Sequence, residues 1–404
     1  MVFTLRVPKQ PDGVKPPLTG ELPATALQSL ATKAFGLYLH VPICAKRCGY
    51  CDFNTYTATE LGGFSQSDWS AQITTELQLA KKVLGGFPMI QTIFIGGGTP
   101  SLLPAADFEK VFKNISNHFA ADIEITIEAN PDSVTKSSLA QYLDIGINRI
   151  SFGMQSSAAK VLQLLDRTHN PSAVSTAVLA AAEVGFRDIS LDLIYGTPGE
   201  SDQDWLDSLT AATALPINHI SAYALIVEAG TKFANQVNRG EIPMPDDDIA
   251  AARYIQAEEF LNQRNFHWYE ISNWGVAGAA CRHNQLYWDS ANWWGAGAGA
   301  HSHIGGLRWW NEKYPATWAQ LLTAGNSPAA GQELLSAAQQ FDEQVMLGIR
   351  QRKGLPVSLL PAATDLAEFQ AAGWIEPSAL AQGQLVLTTA GRLMADRVTA
   401  EILR

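Results

Sequence analysis

Between residues 36 and about 230 the chain alternates between two hydrophobic periods. Short, largely apolar runs stand at 36–42, 92–97, 124–129, 149–154, 188–194 and 219–226. Their length and their Ile, Leu and Phe content predict buried strands. Between them, at 66–84, 104–119, 135–145, 171–185 and 202–214, apolar residues recur every three to four positions. That spacing predicts amphipathic helices. Strand and helix in repeated alternation require parallel strands with right-handed crossovers. The predicted class is therefore α/β, a partial (β/α)6 TIM-like barrel over 36–240, with a doubly wound open sheet as the alternative.

Each run gives way to a Gly, Pro or polar cluster, such as Gly96-Gly97-Gly98-Thr99-Pro100, Glu128-Ala129-Asn130-Pro131 or Gln155-Ser156. Parallel α/β folds bind ligands at these carboxyl ends. Gly97 and Gly98 let the backbone approach a small ligand, although a glycine triplet equally makes a plain turn. Glu128 alternates with Ile127 and is placed to face a barrel mouth, where it could bind an ammonium or ribose hydroxyls; a solvated strand-end acid is the competing reading. Gln155, Arg167 and Asp192 follow the same logic. Arg167 falls on or beside a helix, where an ordinary surface charge competes. Asp192 lies between Leu191 and Leu193, where an unpaired charge is costly, so it needs a ligand, a cation or an arginine.

Candidate chemistry concentrates after the first run. Pro42 sends the chain out of a strand into a loop. That loop carries Cys44, Cys48 and Cys51 in a C-x3-C-x2-C spacing, three of only four cysteines. A zinc knuckle would need a second ligand pair at a set distance, and Cys281 stands alone. Disulfides do not suit a chain with so few cysteines and no export signal. Three local thiolates can instead hold three irons of a [4Fe-4S] cluster, leaving one iron open for chemistry.

Composition narrows the rest. The chain has 404 residues, 47% hydrophobic and 17% charged, with a net charge of −11. This is a globular chain of more than one domain. Its acidity argues against nucleic acid and anionic membranes as partners. No apolar run reaches spanning length and no signal peptide is visible, so cytoplasmic residence is expected. Residues 1–35, with Pro8, Pro11, Pro16, Pro17 and Pro23, read as an extended arm, poorly ordered or strapped over the surface.

Past residue 230 the composition shifts. A linker at 241–247 leads into a predicted helix over 247–263. Over 241–333 aromatics crowd in, and seven of the 11 tryptophans fall between 268 and 310. Within them lie His283-Asn284-Gln285-Leu286-Tyr287-Trp288 and Gly295-Ala-Gly-Ala-Gly299-Ala-His301. A flat macrocycle needs such apolar faces and an imidazole ligand; an aromatic core with His283 hydrogen-bonded inside it is the plain alternative. Residues 334–404 read as helices, a short strand and a last helix from Thr389, a winged-helix-like order. Seven acidic against six basic residues there leave no basic face for DNA.

The C-x3-C-x2-C loop leaving a barrel strand resembles the radical S-adenosylmethionine (SAM) superfamily. Tyr38-x-His40-x-Pro42 and Cys51-Asp52-Phe53 resemble one branch, the anaerobic coproporphyrinogen III oxidase family. The oxidases carry a further cysteine at the place of Phe53, so the resemblance is to the heme-chaperone members, and it leans against catalysis while leaving the question open; an enzyme here would be coproporphyrinogen dehydrogenase-like. It implies a [4Fe-4S] cluster on Cys44, Cys48 and Cys51, and SAM contacts from Tyr38, Gly97, Gly98, Thr99 and Glu128, with Phe53 at the cofactor. Gln155, Arg167 and Asp192 match a second SAM site of the oxidases. The H-N-x-x-Y-W string resembles a heme-linked signature and makes His283 a candidate iron ligand. Implied partners are heme, a heme-acceptor protein and, if SAM is cleaved, an electron donor such as flavodoxin or ferredoxin. The alternatives are oxygen-independent coproporphyrinogen III oxidase and, third, a radical SAM methyltransferase.

Overall fold

Each of the six apolar runs forms a strand of one sheet. These are β1 (Phe35–Val41), β2 (Ile90–Gly97), β3 (Phe119–Ala129), β4 (Arg149–Gln155), β5 (Asp188–Tyr195) and β6 (His219–Ala224). The computed structural model describes residues 13–167 and 171–404. Neighbours in sequence are neighbours in the sheet, and all five pairings are parallel. A doubly wound sheet would reverse its order at a switch point. This one does not, which favours the barrel arrangement.

The predicted helices fall between the strands at Trp69–Val83, Ala105–Phe112, Lys136–Asp144, Pro171–Val184 and Asp202–Thr213. Local chemistry sets their ends. Ser201 accepts from the Asp204 amide while the Asp204 carboxylate accepts from the Ser201 amide, a reciprocal N-cap. The expected helix over 104–119 stops at Phe112. Beyond it Asn114, Ser116 and Asn117 favour local side-chain bonds over continued helix, and a 3-10 turn at Ser116–His118 leads into β3.

The aromatic-rich segment extends the same sheet at both edges. β7 (His267–Glu270) and β8 (Asn273–Gly275) add beyond β6, with β8 antiparallel to it. β9 (Asn292–Ala296) adds parallel to β1, followed outward by β10 (His301–Ile304), β11 (Leu307–Asn311) and β12 (Ala329–Leu334). The described part of the N-terminal arm is strapped onto that edge. Val14 exchanges both backbone bonds with Gln332, at 2.8 and 3.0 Å, and Ala26 is fully buried. Pro8 and Pro11 lie outside the described residues.

A continuous core runs through the barrel, with Leu37, Ile93, Ile127, Phe152 and Leu191 inaccessible. The C-terminal helices, with the two-stranded pair β13 (Leu355–Pro356) and β14 (Gln384–Leu385), enclose a separate core around Val345, Phe369 and Val398. Arg392 docks this module on the helix Asp247–Asn262 and on β7. Its guanidinium donates to Tyr254 Oη at 2.8 Å, pairs with Glu258 at 2.8 Å and stacks over Trp268 at 4.2 Å. Among the described residues no helix is long and apolar enough to cross a membrane.

Candidate functional site

The cysteine loop is closed at its base by main-chain bonds. Tyr56 N–H donates to the Pro42 carbonyl at 2.7 Å, and Cys44 N–H donates to the Tyr56 carbonyl at 2.9 Å. The Gly-rich turn after β2 clamps the same base: Gly98 N–H donates to Val41 O at 2.7 Å and Thr99 N–H to Ile43 O at 2.8 Å. A Cβ on Gly98 would come within 2.5 Å of the Ile43 carbonyl, so glycine is required there by close backbone approach. Thr99 Oγ1 lies 3.8 Å from Cys44 Sγ.

The three thiols line one cavity of about 550 Å³ at the carboxyl ends of the strands. Cys44 is buried; Cys48 and Cys51 are half-buried. Burial pushes the Cys51 thiol up to about 11, against the Phe53 backbone amide that bonds its sulfur. A metal centre would displace that proton on binding. The Phe53 ring itself is exposed, at the rim. Among the described residues no three His, Cys, Asp or Glu side chains gather as a single-ion site would need. A four-iron cluster needs one thiolate per iron, not convergence on a point. Three soft donors beside open cavity space fit that demand.

The cavity wall is the polar face of the strands. Arg149, Ser151, Gly153 and Gln155 alternate along β4, and Thr126 with Glu128, Ser190 with Asp192, and Ser221 with Tyr223 do so on its neighbours. Tyr38, Gly97, Gly98, Thr99 and Glu128 all border this space. Tyr38 Oη bonds His40 Nδ1 at 2.9 Å. Glu128 accepts from Gly97 N–H at 3.1 Å. Burial, then the Asp192 charge, push its carboxyl up to about 8.

Arg167 is not a surface charge. It follows an unpredicted helix, Ala159–Leu164, and reaches inward. Its guanidinium meets Cys48 Sγ at 3.4 Å, Asn130 Oδ1 at 2.9 Å and Gly153 O at 3.0 Å. Gln155 ends β4 at φ 63°, beside a register shift that turns it into the site. Among the described residues Asp192 is met by a hydroxyl and not by the ligand, cation or arginine expected of its position: Ser151 Oγ donates to it at 2.9 Å. Burial still pushes that carboxyl up, opposed by the Ser151 and Ser221 hydroxyls.

His283 lies in the helix Arg282–Trp288, fully buried. Nδ1 bonds Thr92 Oγ1 at 2.7 Å and Nε2 bonds Tyr287 Oη at 2.8 Å. Burial lowers its pKa to about 3. To ligate iron it must surrender one of these bonds. Cys281 is buried with its thiol pushed up to about 12, which makes it unreactive. A second cavity of about 950 Å³ adjoins the first, sharing Tyr38, Cys51, Asp52, Phe53, Gly97, Glu128 and Tyr287.

Comparison with known proteins follows this geometry. The radical SAM superfamily model matches residues 38–212. Two strains of Mycobacterium tuberculosis carry a protein named heme chaperone HemW that is 46% identical over 393 residues, covering 95% of this chain and 98% of theirs. This chain belongs to the HemW family. HemW of Synechocystis is 36% identical over 335 residues, covering 81% of each chain, and that of Bacillus subtilis 34% over 327, covering 79% and 84%. Among solved structures, the coproporphyrinogen III oxidase HemN from Escherichia coli, a radical SAM enzyme, superposes with a TM-score of 0.78 at 21% identity. It covers 93% of this chain and 92% of its own, so the two chains share a fold. The radical SAM match over residues 38–212 implies a [4Fe-4S] cluster and SAM.

Sequence reasoning missed Arg149, Ser151 and Tyr223 on the cavity wall. The signal was present as polar residues at every second position of β4 and β6, inside runs read as simply apolar.

Proposed function

We propose that this protein binds a [4Fe-4S] cluster on Cys44, Cys48 and Cys51, binds SAM and heme, and hands heme to an acceptor protein. The observation that carries the reading is one cavity bounded by all three thiols and by the polar strand faces, in a chain of the HemW family. When bound, the cluster would supply an open iron for SAM to chelate and a source of single electrons.

The chain's own groups bind and orient. Gly97, Gly98, Thr99, Glu128 and Tyr38 form the edge for SAM, with Phe53 at the rim. Gln155, Arg167 and Asp192 form the deeper polar wall, suited to a second SAM, and the Arg167 cation neutralises charge at Cys48. His283 is a candidate heme ligand if its Tyr287 bond opens. A flavodoxin- or ferredoxin-type donor would be needed for SAM cleavage. Cytoplasmic residence suits thiols that must stay reduced.

An anaerobic assay tests the reading. Reconstituted protein is expected to bind heme stoichiometrically and to leave coproporphyrinogen III unchanged in the presence of SAM and reductant. Formation of protoporphyrinogen would make it an oxidase instead.

Glu128 gives a pH signature. Whether it meets the SAM ammonium or ribose hydroxyls, it binds best ionised, yet its carboxyl titrates near 8 in the free protein. SAM affinity is therefore expected to rise as pH climbs toward 8, and Glu128→Gln to flatten that slope, by isothermal titration.

A further inference from the structure

We propose that heme docks in the second cavity with the His301 imidazole as its axial ligand; this deepens, and rests on, the heme-carrying reading above. Five described histidines line the two cavities. Four have both ring nitrogens committed. His40 bonds Tyr38 Oη at 2.9 Å and the Asn54 carbonyl at 2.8 Å. His219 bonds Ser190 Oγ at 2.7 Å and Tyr269 Oη at 2.8 Å. His303 bonds the Ala291 carbonyl at 2.7 Å and accepts from Gly306 N–H at 3.2 Å. His283 is held by Thr92 and Tyr287. His301 is exposed, and neither of its ring nitrogens is hydrogen-bonded among the described residues.

The surroundings hold that imidazole ready. His301 pairs across the strands with Trp310, whose ring stacks on it with centroids 6.1 Å apart and planes at 29°. The Trp293 indole donates to the His301 carbonyl at 3.0 Å. The stack on Trp310 and the anchored main chain limit where the imidazole can turn, and its nitrogens are open to a metal.

The cavity suits the rest of the molecule. Its volume of about 950 Å³ accommodates a macrocycle of this size. Trp293, Met346 and Leu347 offer apolar surface. Lys313 is exposed on the rim without an ion pair among the described residues, so it can reach propionates, whereas Arg47 is already paired with Glu60 at 3.2 Å and bonded to the Thr55 carbonyl. Arg308 is already neutralised by Glu333 and Glu343 at 2.6 and 2.5 Å. Asp52 and Glu128 also border the space and would repel propionates, which directs those groups toward the Lys313 side.

The test is an anaerobic hemin titration of the full chain with its cluster reconstituted, read by absorption and electron paramagnetic resonance. His301→Ala is expected to shift the Soret band, weaken heme binding about tenfold or more and recover the wild-type spectrum with added imidazole. Circular dichroism should be unchanged, since the side chain is exposed. Wild-type spectrum and affinity in His301→Ala, or a loss confined to His283→Gln, would overturn the assignment and leave heme carriage standing. Absence of heme binding by the wild type would overturn both.

Discussion

Cys48→Ala is expected to leave the anaerobically reconstituted protein almost without iron and acid-labile sulfide, against about four of each per wild-type chain. Two thiolates on this loop cannot hold the cluster that three are arranged to bind, and Cys281 is too deeply committed to replace the third. The loop should keep its shape, because its base bonds run between Pro42, Cys44 and Tyr56 and do not involve Cys48. Arg167 loses a sulfur neighbour but keeps Asn130 and Gly153. SAM binding should fall with the iron. Cys281→Ala serves as the contrast, with iron content expected to match wild type. Retention of the full complement by Cys48→Ala would remove the cluster from the loop altogether.

Glu76→Ala should give the largest loss of stability, about 3–5 kcal/mol. Glu76 is fully buried in the Trp69–Val83 helix. It accepts from Gly297 N–H at 2.8 Å, Asn311 Nδ2 at 2.6 Å and Trp318 Nε1 at 2.8 Å. One carboxyl thus ties a barrel helix to the glycine loop ahead of His301, to β11 and to the helix Pro315–Thr323. Alanine would strand the Gly297 and Trp318 donors in the interior. Glu76→Gln should lose less, since its oxygen can still serve both of those donors.

The same residue predicts a pH dependence. Burial raises the Glu76 carboxyl from an ordinary 4.5 to about 7, against the hydrogen bonds that lower it. Between those values the native protein holds a proton that the unfolded chain has released. Its contribution is therefore fully present below 4.5 and lost as pH rises through 7. Urea midpoints at about pH 5 and about pH 8 should differ more in wild type than in Glu76→Gln. Equal differences would show that Glu76 does not carry the effect.

Much of the site was legible because its signals are local. The cysteine spacing, the Pro42 break and the glycine turn all act within a few residues, and the structure brings them to one cavity. Glu76 was invisible for the opposite reason. A glutamate in an amphipathic helix looks like any solvated acid, and its three donors lie over two hundred residues away. Arg167 was ambiguous on the same ground, since its partners come from the cysteine loop, β4 and the turn after β3.

By itself, the order of residues determined the alternation of strand and helix, the parallel strands that alternation requires, and the close spacing of three thiols; the strand order that favours a barrel over an open sheet came from the structure. Hydrophobic period and turn chemistry are short-range, so they can be read along the chain. Tertiary structure alone decided which polar groups are spent and which stay free. His283 and His301 are both histidines in aromatic surroundings, and the only local signal, the H-N-x-x-Y-W string, pointed to the first. Thr92, 191 residues away on β2, takes the nitrogen of the first that its helix neighbour Tyr287 leaves, while the second faces open space; such a distant partner is assigned only when strand and helix pack.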